Sequence, residues 1–411
     1  MSHHDHDIII IGAGIGGGAM ATVLARAGLR VLLLEKSTAH RDRVRGEWMA
    51  PWGVVEAKRV GLYDTLMAAG GHHLARQLGY GDSVDPVEAE AGAIPLGSLI
   101  PGIPGPLCLG HPKHCNVLND AAVAAGATLL RDVNVTSVTL GASPSVTYSL
   151  SGATHTANTR LLVGADGRGS IVRRAAGIEL HRDPTHHLFA GMLIEGAHGW
   201  PEDTQSIGAE GECHFLVFPQ GDGRIRLYVG YPKDQPQRFT GPNGQRAFLD
   251  AFRLTCMPLS EHLRGATPAG PCHSYPNEDA WTDEPFAPGM VLVGDAAGWN
   301  DPILGQGMSV TYRDVRIVSE LLLAHEDWAT LSFAPYAEER RERMRRLRVA
   351  ASAQSVIENE FGEEARQRRR RVGQRRATDL MFMATLFAAF TGPESVPAEA
   401  LAEDAIWQLL E

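Results

Sequence analysis

Residues 12–17 read Gly12-Ala-Gly-Ile-Gly-Gly17 and lie between an apolar run at residues 8–11 and a run with helical character at residues 19–27. A second apolar run follows at residues 31–34. This order predicts a strand, a turn, a helix and a second strand. Glycines at this spacing permit a tight turn, close approach of backbone N–H groups to a pyrophosphate, and close packing of helix on strand. The pattern predicts dinucleotide binding through Gly12, Gly14, Ile15, Gly16 and Gly17, with a glycine-rich turn of purely structural role as the alternative.

Glu35 follows the second predicted strand, where a carboxylate can hold the hydroxyls of a ribose. The N-terminus of the predicted helix would face the phosphates, and its unpaired N–H groups stabilise an anion without a cationic side chain. We therefore assign Glu35 and the neighbouring Lys36 to the cofactor site. This first segment does not by itself distinguish FAD from NAD.

Two further segments make the set more specific than any one member. Residues 164–173 pass from a predicted strand through Asp166-Gly167 into a helix, and the predicted strand at residues 290–293 ends at Gly294-Asp295. The chain then continues through Pro302 to a helix starting near Met308. Because a flavin is long, such distant segments must converge to hold its pyrophosphate, ribityl chain and ring. The set predicts an FAD cradle with the contacts Asp166, Gly167, Gly294, Asp295, Pro302, Gly305, Gln306, Gly307 and Met308.

Three positions in this cradle have defined expected roles. Asp295, at a strand end, can accept hydrogen bonds from the ribityl hydroxyls. The N–H groups of Gly305 and Gly307, at a helix start, would stabilise negative charge near the pyrimidine edge of a reduced flavin. Asp-Gly is also a common turn, so a structural role is the alternative for Asp166.

Composition excludes several classes of function. The 411 residues carry a formal net charge of -10 with histidines neutral, which argues against nucleic acid and favours small, near-neutral partners. Five cysteines without a Cys-x-x-Cys pair predict neither a metal site nor a redox disulfide, and they fit a reducing cytoplasm. The N-terminus lacks the basic region of a signal peptide. We expect a cytoplasmic protein without a transmembrane segment.

The three segments resemble the FAD-dependent monooxygenases of the aromatic hydroxylase type, similar to p-hydroxybenzoate hydroxylase, over most of residues 7–325. The resemblance implies an α/β fold with a Rossmann-like FAD-binding domain, a mixed-sheet substrate domain and C-terminal helices. It implies tight, non-covalent FAD and NAD(P)H as a transient reductant. It further implies that O2 forms a flavin C4a-hydroperoxide, which hydroxylates, epoxidises or N-oxidises a small organic, preferably aromatic, substrate.

The resemblance also assigns residues. Arg45 matches an arginine beside the flavin, and His111 stands where family members often place glutamine or arginine. Asp166 and Arg173 match a turn that is implicated in NAD(P)H use. Val135 is added to the cofactor contacts. The residues expected nearest the chemistry are Arg45, His111, Pro302, Gly305 and Gly307.

Two positions depart from the family pattern: Ser309 replaces a frequent asparagine and Gly298 a frequent histidine. We expect these two departures to affect the fine tuning of the flavin ring and to leave FAD binding intact. Pro51 predicts the first turn of a helix running toward residue 69.

The substrate site is less well defined by sequence. Residues 213–218 and 224–231 alternate as a hairpin of an antiparallel sheet, which puts Arg224, Arg226 and Tyr228 on one face. That face would cover the substrate or face water. His111 and His214 are candidate bases for a phenol, whereas an alkene or amine needs none. The substrate candidates are His214, Arg226 and Tyr228.

The segments predict two interleaved domains and a helical tail. The expected FAD-binding segments are 1–72, 107–177 and 286–325, the substrate segments are 73–106 and 178–285, and the tail is 326–411. Arginines and glutamates alternate in the tail, which favours solvated helices over a nucleic-acid site. The apolar residues 380–390 are too few to span a bilayer, so we expect burial against the body or a partner subunit in a homodimer, with a membrane surface as the alternative.

Other flavoprotein classes remain as alternatives. The sequence contains no second glycine-rich dinucleotide turn, so we expect no separate NAD(P)H domain. The tryptophan signature of flavin halogenases is also missing, which leaves halogenation as a minor alternative. A flavin-dependent reductase or dehydrogenase of the prenyl reductase type would keep the same cradle. So would a non-catalytic flavoprotein.

Overall fold

The computed structural model describes residues 4–44, 46–82, 84–376 and 383–410. Arg45, assigned above to the flavin, lies outside the described residues. The strands are β1 (His6–Ile11), β2 (Val31–Leu34), β3 (Trp48–Met49), β4 (His72–His73), β5 (Arg76–Gly81), β6 (Ile94–Pro95), β7 (Leu107–Cys108), β8 (Thr128–Leu130), β9 (Asn134–Thr139), β10 (Ser145–Leu150), β11 (Ala153–Gly164), β12 (His181–Arg182), β13 (His187–Glu195), β14 (Thr204–Glu210), β15 (Cys213–Gly221), β16 (Arg224–Pro232), β17 (Thr267–Pro268), β18 (His273–Asn277), β19 (Ala280–Trp281), β20 (Phe286–Ala287), β21 (Met290–Leu292) and β22 (Gly298–Trp299). The α-helices are α1 (Ile15–Arg26), α2 (Pro51–Arg59), α3 (Tyr63–Ala68), α4 (Pro86–Ala91), α5 (His111–Ala124), α6 (Ile171–Ala175), α7 (Gly244–Asp250), α8 (Ser260–Arg264), α9 (Gly307–Leu323), α10 (Ala334–Asn359), α11 (Glu363–Arg376), α12 (Ala384–Thr391) and α13 (Glu403–Leu410).

The first large sheet has the order β20-β21-β11-β1-β2-β8, and β1 runs parallel to both β2 and β11. Ile8 and Ile10 pack into one hydrophobic core and Ile9 and Ile11 into another, so both faces of β1 are covered. This explains why β1 is a continuous apolar run rather than an alternating one. The carboxyl ends of β1, β2, β11 and β21 meet at one edge, and each glycine or aspartate segment follows one of these ends.

The second large sheet has the order β17-β13-β16-β15-β14-β5-β6, with β18 also paired to β13. The predicted hairpin is confirmed, because β15 pairs antiparallel with β16. Its turn is Asp222-Gly223, and both residues have positive φ angles, 56° and 68°. Such a turn suits the right-handed twist of a hairpin. We call this second sheet the substrate sheet.

One helix prediction is wrong. The helix expected from Pro51 toward residue 69 is two helices, α2 and α3. Gly61 lies between them with φ +68°, a left-handed conformation that ends a helix. By contrast, the helix expected near Met308 is confirmed as α9, which begins one residue earlier.

The predicted helical tail is confirmed as α10 to α13. The described part of the apolar run, residues 383–390, is largely buried against the body as expected, while residues 380–382 lie outside the described residues. Within the described ranges, none of the helices combines the length and the apolar character that crossing a bilayer requires. The predicted fold class, a Rossmann-like FAD-binding domain with a mixed substrate sheet and C-terminal helices, is confirmed.

Candidate functional site

A single cavity of about 1270 Å³ joins the three glycine-rich segments and extends onto the substrate sheet. Three of the predicted positions that the structure describes do not line it: Gly17, Arg173 and Arg226. The predicted residues on its wall are Gly12, Gly14, Ile15, Gly16, Glu35, Lys36, His111, Val135, Asp166, Gly167, His214, Tyr228, Gly294, Asp295, Pro302, Gly305, Gln306, Gly307 and Met308. The chain segments that sequence reasoning grouped therefore converge in space.

The first glycine segment combines close packing with an open face. A Cβ on Gly17 would lie 1.8 Å from the carbonyl oxygen of Gly12, so Gly17 serves the packing of α1 on the turn rather than the cavity wall. Gly12 itself has φ +96°, and a Cβ there would lie 2.5 Å from the carbonyl oxygen of Ala165. Gly14, in contrast, has open space before it. The start of α1, which has no side-chain cap, thus presents N–H groups to the cavity.

Glu35 is held in place at the end of β2. Its carboxylate accepts hydrogen bonds from the backbone N–H groups of Ala13 and Ser37, each at 2.8 Å. The carboxylate therefore ties the glycine turn to the loop after β2 and still lines the cavity. Its oxygens have lone pairs left for two ribose hydroxyls.

The second segment is fastened to the third. Asp166 accepts a hydrogen bond from the backbone N–H of Ile171 at 2.6 Å, and burial raises the pKa of this carboxyl. Arg173 donates to the carbonyl oxygens of Arg168 at 2.8 Å and Ala296 at 2.9 Å. Both guanidinium contacts are to backbone, so Arg173 fixes the relative position of the two segments.

The third segment exposes the start of α9 to the cavity. Gly305 has φ +68°, and α9 begins at Gly307 without a side-chain cap, so its first N–H groups are available. Gln306 is buried; it accepts from the indole N–H of Trp52 at 2.8 Å and donates to the carbonyl oxygen of Ala389 in α12 at 3.1 Å. The helix start is therefore held between α2 and the C-terminal helices.

Asp295 lies on the cavity wall at the end of β21, where a polyol chain would pass. Arg168 lies 3.3 Å from its carboxylate and stacks over the Trp299 ring at 4.6 Å from the ring centroid. Sequence reasoning missed both partners, because Arg168 resembles a solvated arginine in a turn and Trp299 belongs to no motif.

His111 begins α5 and lines the cavity. Gly46 has φ +79°, and a Cβ there would lie 3.0 Å from Cδ2 of the His111 ring. The backbone at Gly46 therefore passes directly beside His111. Val135, at the start of β9, lines the same cavity.

Arg226 is occupied by two carboxylates rather than exposed to a substrate. Its guanidinium lies 2.6 Å from Asp42 and 2.8 Å from Glu47. Tyr228 donates a hydrogen bond to the same Glu47 carboxylate. Burial raises the pKa of Glu47, although the positive charge of Arg226 opposes the rise. We call Asp42, Glu47, Arg226 and Tyr228 the buried carboxylate cluster; its acids flank Arg45 in sequence, which is the signal that could have revealed them.

The remaining cavity wall, which we call the substrate chamber, is aromatic. The substrate sheet, β3 and α12 provide Trp48, Phe189, Phe218, Tyr228, Tyr275 and Phe390. Sequence reasoning found only Tyr228 among these, because aromatic residues in strands and helices usually belong to the core. Among the described residues, the substrate sheet and the C-terminal helices add no aspartate, glutamate, lysine or arginine to this wall.

These features fit FAD. Two uncapped helix starts, those of α1 and α9, lie at separate places on one wall, with Glu35 and Asp295 as hydroxyl acceptors. The glycines at 14 and 307 leave open space in front of those helix starts. Such a wall can hold an anionic pyrophosphate at one place and the polar edge of an isoalloxazine at the other.

The family model described as FAD binding domain matches residues 5–353. The chain belongs to this family. A squalene epoxidase of Aspergillus fumigatus is 28% identical over 335 residues, which cover 78% of this chain and 67% of that protein. A menaquinone reductase of Mycolicibacterium smegmatis is 25% identical over 350 residues, covering 80% of this chain and 81% of that protein.

Among solved structures, p-nitrophenol 4-monooxygenase of Pseudomonas putida superposes with a TM-score of 0.78 at 17% identity, covering 94% of this chain and 98% of that one. At that identity the likeness shows the fold alone. The family match, together with the epoxidase relative, identifies the chain as an oxidoreductase of the FAD-dependent monooxygenase family, with FAD as cofactor and NAD(P)H as reductant.

Proposed function

We propose that this protein is a single-component monooxygenase that oxygenates an uncharged, hydrophobic, small organic substrate by hydroxylation, epoxidation or N-oxidation. The observation that carries the proposal is the substrate chamber: an aromatic hollow continuous with the FAD cradle, to which the described substrate sheet and C-terminal helices add no charged side chain. A carboxylate substrate would need a cation there, and the buried guanidinium of Arg226, which belongs to the substrate sheet, is already paired with Asp42 and Glu47.

The net reaction consumes one NAD(P)H, one proton and one O2 per substrate molecule. One oxygen atom enters the substrate, and the other leaves as water with two electrons supplied by the nicotinamide. FAD, when bound, supplies the electron transfer from NAD(P)H to O2 and the transfer of the oxygen atom.

The residues of the chain act mainly by position. The N–H groups at the start of α9 would stabilise negative charge on the bound ring, and the positions of Gly307 and Trp48 on the cavity wall would orient it toward the chamber. The aromatic side chains of the chamber would exclude water from the reacting edge of the bound cofactor. Asp295, Glu35 and the helix start at Ile15 hold the remainder of the cofactor.

The direct test is turnover under 18O2. Purified enzyme with NAD(P)H and a library of neutral aromatic and alkene compounds should yield product containing one 18O atom, and the same label should not enter from H2 18O. A product that lacks 18O while NAD(P)H is consumed would overturn monooxygenation.

A reductase is the second candidate, supported by the likeness to a menaquinone reductase. It would consume NAD(P)H and substrate in equal amounts without O2, so anaerobic turnover distinguishes the two. We further propose a cytoplasmic location, supported by five cysteines that are all free thiols. A homodimer is also proposed, to be tested by the mass of the protein in solution.

A further inference from the structure

On the part of the cavity wall that the substrate sheet and the C-terminal helices form, two buried polar atoms of the described residues have no hydrogen-bond partner. They are Nε2 of His214, in β15, and the side-chain hydroxyl of Thr385, in α12. Each of these residues is only 1% exposed. A buried donor without a hydrogen-bond partner destabilises a fold. A bound ligand that accepts a hydrogen bond from that donor removes this cost.

The neighbours of His214 fix which of its ring nitrogens carries the hydrogen. The side-chain Nδ2 of Asn359, at the end of α10, lies 3.2 Å from Nδ1 of His214. An amide nitrogen only donates, so Nδ1 accepts and Nε2 carries the hydrogen. Burial, together with the charge of Arg369, lowers the pKa of His214 to about 3, which keeps the ring neutral. His214 is therefore a hydrogen-bond donor through Nε2 and is unsuited to be the general base.

The support for His214 is built into the substrate sheet. Gly230 of β16 lies directly opposite His214 in the strand pair. A Cβ on Gly230 would lie 2.1 Å from Oδ1 of Asn359, so this glycine makes the room in which the Asn359 side chain sits. Phe189 flanks the imidazole at 5.8 Å between ring centroids. The ring is thus held by Asn359 and Phe189, and His214 lines the cavity.

Building on the proposed function, we propose that the substrate carries an uncharged oxygen acceptor, a carbonyl or a hydroxyl, which receives a hydrogen bond from Nε2–H of His214. The hydroxyl of Thr385 offers a second polar contact on the same chamber wall. The substrate class is then a hydrophobic ring or polyene compound with one neutral oxygen function at the end held by His214. A compound without that oxygen would leave a buried donor unpaired, and a site of this kind discriminates strongly against such analogues.

The test compares two probes that share a bicyclic skeleton, 1-tetralone and tetralin, which differ by one carbonyl group. Each is titrated into the FAD-loaded enzyme without NAD(P)H, and binding is followed by calorimetry and by the absorption difference spectrum of the flavin. Wild-type enzyme should bind 1-tetralone about ten- to a hundredfold more tightly than tetralin, the range expected for one buried hydrogen bond.

Variants assign this preference to His214. In His214→Phe the affinity ratio should fall to about one through weaker binding of 1-tetralone, whereas His214→Gln, whose amide can also donate, should keep part of it. Thr385→Val and Gly230→Ala should each lower the ratio by a smaller factor, and they serve if His214→Phe fails to fold. His114 is a matched control, since it is equally buried and does not line the cavity; His114→Phe should keep the wild-type ratio.

Three results would overturn the proposal: equal affinity of wild-type enzyme for the two probes, an unchanged ratio in His214→Phe, or no binding of either probe at millimolar concentration. Turnover under 18O2 separates this failure from that of the proposed function. If probes are oxygenated while the ratio is flat, the role of His214 is wrong and monooxygenation stands. If the affinity ratio of the two probes behaves as expected while no 18O enters any product, monooxygenation is wrong and the role of His214 stands.

Discussion

Replacing Arg226 by methionine tests whether the buried carboxylate cluster holds the loop beside the flavin. The side chains of Arg226 and Glu47 are 3% and 2% exposed, whereas Asp42 is 22% exposed. The variant Arg226→Met keeps most of the side-chain volume and leaves Glu47 as a buried acid without a cation. Removal of one partner of a buried ion pair destabilises by about 3–5 kcal/mol. With an unfolding entropy of about 0.9 kcal/mol/K for 411 residues, the melting temperature should fall by about 3–6 °C.

The loss of stability in Arg226→Met should depend on pH. Burial already raises the pKa of Glu47 in the folded protein, and removal of Arg226 raises it further. The folded variant then binds a proton more tightly than the unfolded chain, so its stability is highest at low pH and falls as pH rises through the folded pKa of Glu47. The gap in melting temperature between wild type and Arg226→Met should therefore be smaller near pH 5 than near pH 8.

A second substitution isolates the cause. Glu47→Gln removes the unpaired charge and keeps an oxygen that accepts from Tyr228, so the double variant should recover about 1–3 kcal/mol relative to Arg226→Met. Differential scanning calorimetry of the four proteins at both pH values gives the coupling energy. Additive effects, or a gap in melting temperature that does not change with pH, would refute the ion-pair reasoning.

Two further predictions concern the cradle. Gly17→Ala should weaken FAD binding at least tenfold and lower the melting temperature, because its methyl group would meet the carbonyl oxygen of Gly12 at 1.8 Å. The control Gly373→Ala, with open space around it, should change neither quantity. FAD titration of the apoprotein and a thermal scan measure both, and equal FAD affinities of Gly17→Ala and wild type would contradict the close approach. Burial and the charge of Asp279 raise the pKa of Asp301 to about 8, so the stability of wild type should fall as pH rises from about 5 to 8. Asp301→Asn should flatten this dependence of the melting temperature on pH. The same dependence in both proteins would count against a raised pKa of Asp301.

The edge of the first sheet was predictable from sequence because its signals are local. Residues 8–34 contain the strand, turn, helix and strand in one stretch, and each later segment shows a strand run into a glycine or Asp-Gly turn. Parallel strands place their carboxyl ends at one edge, so the convergence of these segments followed from the pattern. Helix α1 begins at Ile15, although the sequence shows helical character only from residue 19. The three residues between these positions are glycines, whose low helix propensity hides the true start of the helix.

The substrate chamber was not predictable, since its aromatic residues come from distant elements. Alternation correctly put Arg226 and Tyr228 on one face, yet only the fold shows that Asp42, at a sequence separation of 184 residues, occupies the guanidinium. His214 has the same difficulty: its tautomer depends on Asn359, which is 145 residues away. Long-range pairing of this kind leaves no periodic trace in a single sequence.

We propose that three separated chain segments hold one flavin, and a substitution at Asp295 tests this most directly. Apoprotein of the wild type and of Asp295→Ala is titrated with FAD and followed by flavin fluorescence, with the exposed Asp234→Ala as control. The wild type and the control should each bind one FAD per chain, and Asp295→Ala should bind it at least tenfold more weakly because the ribityl hydroxyls lose their acceptor. A wild-type chain that takes up no FAD, or an Asp295→Ala variant with unchanged affinity, would contradict the account.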